Sequence, residues 1–233
     1  MSAAAEWRVD VGEDQTRAVY EPATSGSDEA VFVCAHGAGG SMSDRSTLAA
    51  ANALRSRGIG VVRFNFLYKE LHKGRPDPMP KLMATTAAVV AHARAALEHP
   101  RPLLIGGRSM GGRAASMLAA DGFDADGLLL LAYPLHPEGQ PDKLRDAHLP
   151  RITMPVICFN GTRDGLCRRD LMEHALETVT APWEMHWLEG ADHSFHVLKS
   201  SGRSDGDVLA EMADASAAWL ARLSSAGVAK SSS

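Results

Sequence analysis

The stretch Leu103-Leu104-Ile105-Gly106-Gly107-Arg108-Ser109-Met110-Gly111-Gly112-Arg113 constrains the fold more than any other part of the chain. An apolar run ends in glycines, carries one serine, and passes through more glycine into an alanine-rich segment. That order reads as strand, very tight turn and helix. The inner five residues fit G-x-S-x-G, a pattern that holds a serine in a strained turn with its hydroxyl projecting from the sheet edge. Strand and helix nearly touch at such a turn, so the flanking residues must be small. Gly107 and Gly111 meet that demand, and Gly106 and Gly112 add room. A glycine-rich turn with an incidental serine has the same letters, so the rest of the chain must decide.

With 233 residues the chain is long enough for one α/β domain with a sizeable core. Hydrophobic residues at 45% and charged residues at 22% suit an ordinary soluble globular protein. A formal net charge of -4, with no run of Lys and Arg, provides no basic face for nucleic acid. The apolar runs are far too short to span a bilayer. The first seven residues lack the basic and apolar regions of a signal peptide. The expectation is a cytoplasmic protein with no nucleic-acid or membrane partner. Cys34, Cys158 and Cys167 are an odd count without metal-like spacing and read as buried thiols.

Hydrophobic patterning predicts strands at 7–11, 17–20, 30–35, 60–65, 102–105, 127–132, 156–160 and 183–188. Helices are expected at 43–57, 81–98, 110–120, 168–178 and 205–223, the first with Ser43 as a possible N-cap and Gly58 as its stop. Residues 66–80 read as a loop able to shape a binding site, and 133–152 as a connection with one short helix. Residues 1–223 form a single domain in this reading, and 224–233 a flexible C-terminal tail. Strands alternating with helices imply a mainly parallel sheet covered on both sides. In such sheets ligands bind beyond the carboxyl ends of the strands.

Three of those carboxyl ends carry reactive side chains. Ser109 follows the fifth strand, Asp164 the strand at 156–160, and His193 the strand at 183–188. Nucleophile, acid and base thus occur in the order Ser, Asp, His. His193 is expected to take the serine proton and return it to the leaving group, while Asp164 fixes the imidazole tautomer. The backbone N–H of Met110 supplies one donor to an oxyanion. The other is expected from Ala38, with Gly39 as the alternative, in the small-residue loop His36-Gly37-Ala38-Gly39-Gly40. His36 is expected to hydrogen-bond and shape that loop. His193 and His196 have a His-x-x-His spacing but no third ligand, so neither a metal nor another cofactor is expected. His186 reads as structural and Asp170 as a first-turn carboxylate. Asp192 comes too late in the chain for the usual acid. Arg108 has two readings, a salt bridge over the site or a contact to substrate.

These residues resemble the α/β-hydrolase superfamily over nearly the whole chain. The compact size and the His36 to Gly40 loop resemble its dienelactone-hydrolase-like branch, in which the nucleophile is usually cysteine and here is Ser109. Three further stretches are Arg63-Phe64-Asn65-Phe66, Tyr133-Pro134-Leu135-His136-Pro137 followed by Lys143-Leu144-Arg145, and Gly161-Thr162-Arg163-Asp164. They are similar to a small group of predicted hydrolases that includes a testis-expressed protein and a subunit of a chromatin-acetyltransferase complex. The resemblance implies an α/β-hydrolase fold, with a mostly parallel central sheet of about eight strands and helices on both faces. It also implies the triad positions, but no substrate. Many relatives carry a lid where this chain has only the short connection at 133–152. Little or no cap domain and an open site follow, with Phe66, Tyr68, Tyr133, Leu135 and Leu166 as wall candidates beside His36 and Arg108. The expected activity is a serine esterase or thioesterase acting on small or accessible acyl groups through an acyl-Ser109 intermediate. The rival is a non-catalytic binding or scaffold protein on the same fold. The sequence leaves the oligomeric state open.

Overall fold

The strands form because their apolar residues alternate between two cores, one on each face of a single sheet. The computed structural model describes residues 3–25, 27–98 and 102–231. An antiparallel hairpin, β1 (Ala5–Val11) and β2 (Asp14–Glu21), leads into β3 (Ala30–Ala35) and β4 (Ile59–Phe64). The sheet continues with β5 (Leu103–Arg108), β6 (Gly127–Leu131), β7 (Val156–Gly161) and β8 (Trp183–Leu188). The spatial order is β1-β2-β4-β3-β5-β6-β7-β8. β2 pairs antiparallel with β4, and every pairing from β4 through β8 is parallel. This is the α/β-hydrolase fold with its eight strands.

Helices cover both faces, as buried parallel strands require. Helix α1 (Arg45–Arg55) and α6 (Asp205–Ser231) lie on one face, where Phe32, Leu129, Ile157 and Phe159 meet Leu54, Met212 and Trp219. The short α2 (Leu67–Glu70), α3 (Met79–Ala96), α4 (Met110–Ala120) and α5 (Arg169–Leu176) complete the helices. α3, α4 and α5 pack on the other face against Val31, Val33, Ile105, Leu128 and Val156. Between β6 and β7 the chain forms only a 3-10 turn, Leu149–Arg151, so no cap domain stands over the carboxyl ends of the strands. Among the described residues, no helix is long and apolar enough to cross a membrane.

Several boundaries differ from those expected. α1 is capped by Asp44, not Ser43, because the Asp44 carboxylate accepts the Thr47 N–H at 2.8 Å. The segment at 66–80 is not all loop. It contains α2, and α3 starts at Met79 with Pro80 in the first turn, where its missing N–H costs nothing. α6 runs on to Ser231, past the stop read at Leu223, through a stretch of alanine and serine with no helix breaker but Gly227. The expected tail at 224–233 therefore starts as helix, and residues 232–233 lie outside the described residues.

Candidate active site

Ser109 occupies the turn between β5 and α4 with φ 49° and ψ −116°, outside the ordinary regions for an L-residue. The fold enforces that conformation from both sides. The Ser109 N–H donates to the Leu131 carbonyl at 2.9 Å, and the Ser109 carbonyl accepts from the Arg113 N–H at 2.9 Å. A Cβ on Gly107 would lie 2.2 Å from the Ala35 carbonyl oxygen, and one on Gly111 would lie 2.6 Å from the same atom. Both positions therefore need glycine for strand, loop and helix to close together.

The three reactive side chains meet. His193 Nε2 lies 2.9 Å from Ser109 Oγ, and His193 Nδ1 lies 3.0 and 2.9 Å from the two Asp164 oxygens. Asp164 is buried, with its side chain 0% exposed, and its charge is met by further donors. Asn160 Nδ2 donates to it at 3.0 Å and the Leu166 N–H at 2.8 Å. With Nδ1 donating to the carboxylate, Nε2 is left as the acceptor for the serine proton. The loop carrying His193 is tied by Asp192, whose Oδ1 accepts the N–H groups of Ser194 and His196 at 2.7 and 3.1 Å. Asp192 thus shapes the loop and does not touch the imidazole chain. His196 pairs with Asp205 at 3.1 Å, and His186 with Glu211 at 2.8 Å.

The facing donors come from two backbone segments. Among the described residues, no partner within the protein takes the Met110 or the Ala38 N–H. The Gly39 N–H likewise has no partner among the described residues. His36 is fully enclosed and shapes this loop. Its Nδ1 lies 2.8 Å from the Gly37 carbonyl, and its Nε2 accepts the Phe66 N–H at 3.2 Å. That pair of contacts assigns the proton to Nδ1, and burial pushes the imidazole pKa down, so the ring stays neutral.

Ser109 and His193 open onto a cavity of about 790 Å³. Its walls come from the Gly37 to Gly40 loop, the first turns of α1 and α6, Arg108 and the loop from His193 to His196. Most of the expected wall residues are elsewhere. Phe66, Tyr68, Tyr133 and Leu135 are at most 2% exposed and belong to the core beneath α3 and α4. Leu166 is half-buried and serves Asp164 through its backbone, and His36 lies behind the loop. Of the seven wall candidates only Arg108 lines the cavity. It makes no salt bridge among the described residues, and one guanidinium nitrogen donates to the His193 carbonyl at 2.7 Å. The wall residues Arg45, Ala49, Phe195, Asp205 and Leu209 were not singled out in the sequence. They come from helices and a loop whose proximity depends on packing across the sheet.

Solved structures share this architecture. A serine hydrolase without a lid from Xanthomonas campestris matches with a TM-score of 0.72 at 21% identity, over 94% of this chain and 96% of that one. A dienelactone hydrolase from Anabaena variabilis matches with a TM-score of 0.70 at 19% identity, over 95% and 99%. A serine hydrolase homologue from Coxiella burnetii matches with a TM-score of 0.71 at 19% identity, over 89% and 96%. Residues 28–221 match the family described as alpha/beta hydrolase domain, and with most of its length matched the chain belongs to that family.

Proposed function

We propose that the protein is a serine hydrolase that cleaves carboxylic esters or thioesters of small or accessible acyl groups. The observation that carries this reading is the unbroken hydrogen-bonded chain from Ser109 Oγ through His193 to buried Asp164, at the edge of an open cavity. In acylation, Ser109 Oγ bonds to the substrate carbonyl carbon as its proton passes to His193 Nε2. The negative oxygen that forms is received by the N–H groups of Met110 and Ala38. The bond to the leaving group then breaks, and the leaving group takes the proton from His193. Water attacks the acyl-Ser109 in the second half, giving a proton to His193, which returns it to Ser109. Asp164, hydrogen-bonded to Nδ1, stabilises the imidazolium.

The descriptions of the Xanthomonas and Coxiella proteins as serine hydrolases support this reading. The stretches at 63–66, 133–137 and 161–164 support placing the chain with the small group that includes the testis-expressed and chromatin-complex proteins. A scaffold on a hydrolase fold has no need of an intact triad, and three side chains held in contact favour the enzyme. Three free thiols suit a reducing compartment, and we place the enzyme in the cytoplasm. The test is labelling by an active-site-directed fluorophosphonate, followed by turnover of simple esters and acyl thioesters. The wild type is expected to label and Ser109→Ala to fail. A wild type that neither labels nor turns over an ester, from neutral to mildly alkaline pH, overturns the proposal.

A further inference from the structure

Arg108 is a cavity cation with no carboxylate partner among the described residues, and it is more enclosed than Arg45, the other cation lining the cavity. The Arg108 guanidinium is partly enclosed beside the nucleophile, and it makes one hydrogen bond, to the His193 carbonyl. No carboxylate oxygen among the described residues lies within 4.0 Å of it. The neighbouring carboxylates are committed elsewhere. Asp44 accepts the Ser41 and Thr47 amides and two hydroxyls, Asp164 holds His193, and Asp192 holds the Ser194 and His196 amides. The remaining acid of the cavity, Asp205, is met by His196 and by the field of Arg45. Burial pushes the guanidinium pKa down, against the pull of Asp44, Asp164 and Asp192 at longer range. A guanidinium has five N–H donors in a planar fork. With a single acceptor from the protein, donors remain for a ligand on the cavity side.

We infer that Arg108 is a specificity-determining residue that receives a carboxylate of the substrate, so that the favoured substrates are monoesters or thioesters of acids that keep one free carboxylate. This rests on the hydrolase reading above, and it narrows the substrate class. Arg108 and Ser109 line the same cavity, so a carboxylate held by the guanidinium and a carbonyl presented to Ser109 can belong to one small substrate. The contact to the His193 carbonyl fixes one edge of the fork, so the other edge is presented at a set angle. A substrate whose carboxylate sits there brings its carbonyl to Ser109 in a fixed orientation, which lowers KM and raises kcat/KM.

The experiment compares kcat/KM for two charge pairs, monoethyl adipate against its neutral amide and meta-acetoxybenzoate against its methyl ester. The first pair places the charge on the acyl side and the second on the leaving-group side. The wild type is expected to prefer the anion in at least one pair by roughly tenfold to a hundredfold, the worth of a charge-assisted bond. In Arg108→Gln that ratio falls to about one, and in Arg108→Lys, which keeps the charge but loses the fork, it is intermediate. A ratio near one in both wild-type pairs overturns the inference. So does an Arg108→Gln enzyme that slows both members equally, since that is the signature of an arginine serving only the His193 loop. A second arm needs no turnover: calorimetric binding of adipate to Ser109→Ala, weakened about tenfold when Arg108→Gln is added. Fluorophosphonate labelling with no charge preference removes this inference and leaves the hydrolase reading. Arg108-dependent adipate binding without labelling does the reverse.

Discussion

Of the helix N-termini that face the cavity, those of α1 and α4 are built in opposite ways. At α1 the cap is complete. Asp44 accepts the Thr47 amide at 2.8 Å and the Ser41 amide at 3.0 Å, and the Ser46 and Thr47 hydroxyls also bond to it. At α4 the capping position holds Ser109, a residue type well suited to the task, yet its side chain makes no capping bond. The hydroxyl points to His193 instead, the backbone sits at a positive φ, and the first amide of the helix is left open. α1 spends its polar groups on itself, and α4 leaves its first amide and the Ser109 hydroxyl out of any cap. α4 is therefore held from behind, by the close seat at Gly107 and by Ser116, whose hydroxyl lies 2.8 Å from His148 Nε2 in a buried pair. Stability and reactivity thus draw on the same kind of atoms at two helix ends, and one position cannot serve both.

Mutation can break this contrast. The largest effect is expected at Ser109. Ser109→Ala should lower kcat/KM by roughly 10⁴- to 10⁶-fold while changing the urea-unfolding free energy by less than about 0.5 kcal/mol, because no cap is lost. Ser109→Gly should be about 1 kcal/mol more stable than Ser109→Ala, because glycine accepts the positive φ. Gly107→Ala should cost roughly 3 kcal/mol or more, since its Cβ meets the Ala35 carbonyl oxygen in backbone that cannot step aside. Equilibrium unfolding measures both.

Acid should loosen α4 before α1. Burial, with Arg113 and Arg151 nearby, holds the folded His148 pKa at about 4, against 6.5 for the free imidazole. The unfolded chain therefore binds more protons between those values. The contribution is fully present above pH 6.5 and is lost as pH falls to about 4, by roughly 3 kcal/mol in all. His148→Gln should remove that slope from a plot of stability against pH. The Asp44 carboxyl titrates below its ordinary 3.8: burial raises it, but the Thr47 and Ser41 amides with the Ser46 and Thr47 hydroxyls outweigh that. Its contribution is present above 3.8 and fades only as pH falls through the lower folded value. Asp44→Ala is expected to lose about 1–2 kcal/mol, which Asp44→Asn largely avoids. Differential scanning calorimetry of the three proteins checks it. A loss as large at Ser109→Ala as at Asp44→Ala would erase the distinction between the two ends.

The sheet and the three residues that meet, Ser109, His193 and Asp164, were legible because their constraints are local. An apolar run with no polar break has to be buried on both faces, and a turn that seats a reactive serine needs glycines within two residues. The cavity walls were not legible in the same way. Val62, Phe64 and Phe66 keep the two-residue alternation of β4 past the end of the strand, and Tyr68 joins the same core from within α2. That period was readable, although the prolines that follow suggested a loop. Tyr133 and Leu135 had no such signal. Leu128 and Leu130 face the same core, and Ala132, at φ 53°, reverses the parity so that Tyr133 and Leu135 turn inward as well. A positive φ at alanine is not written in composition. At α1, Ser41, Ser43 and Asp44 are all fit to cap, and only the reach of one side chain to the Thr47 amide selects Asp44. The Ser116–His148 pair joins α4 to a distant connection and has no local pattern at all.

The three buried cysteines make the protein its own gauge of local opening. Cys34 is the second-last residue of β3, shortly before the Gly37 to Gly40 loop, Cys158 lies in β7 ahead of Asp164, and Cys167 follows that aspartate. Burial pushes the Cys34 thiol up to about 12 and raises the Cys158 and Cys167 thiols as well, so none offers a thiolate to an alkylating reagent while the strands stay closed. Each cysteine thus becomes a timer for one loop of the site. The order in which the three are trapped gives the order in which the floor beneath the site comes apart, in the native protein and with no foreign label attached.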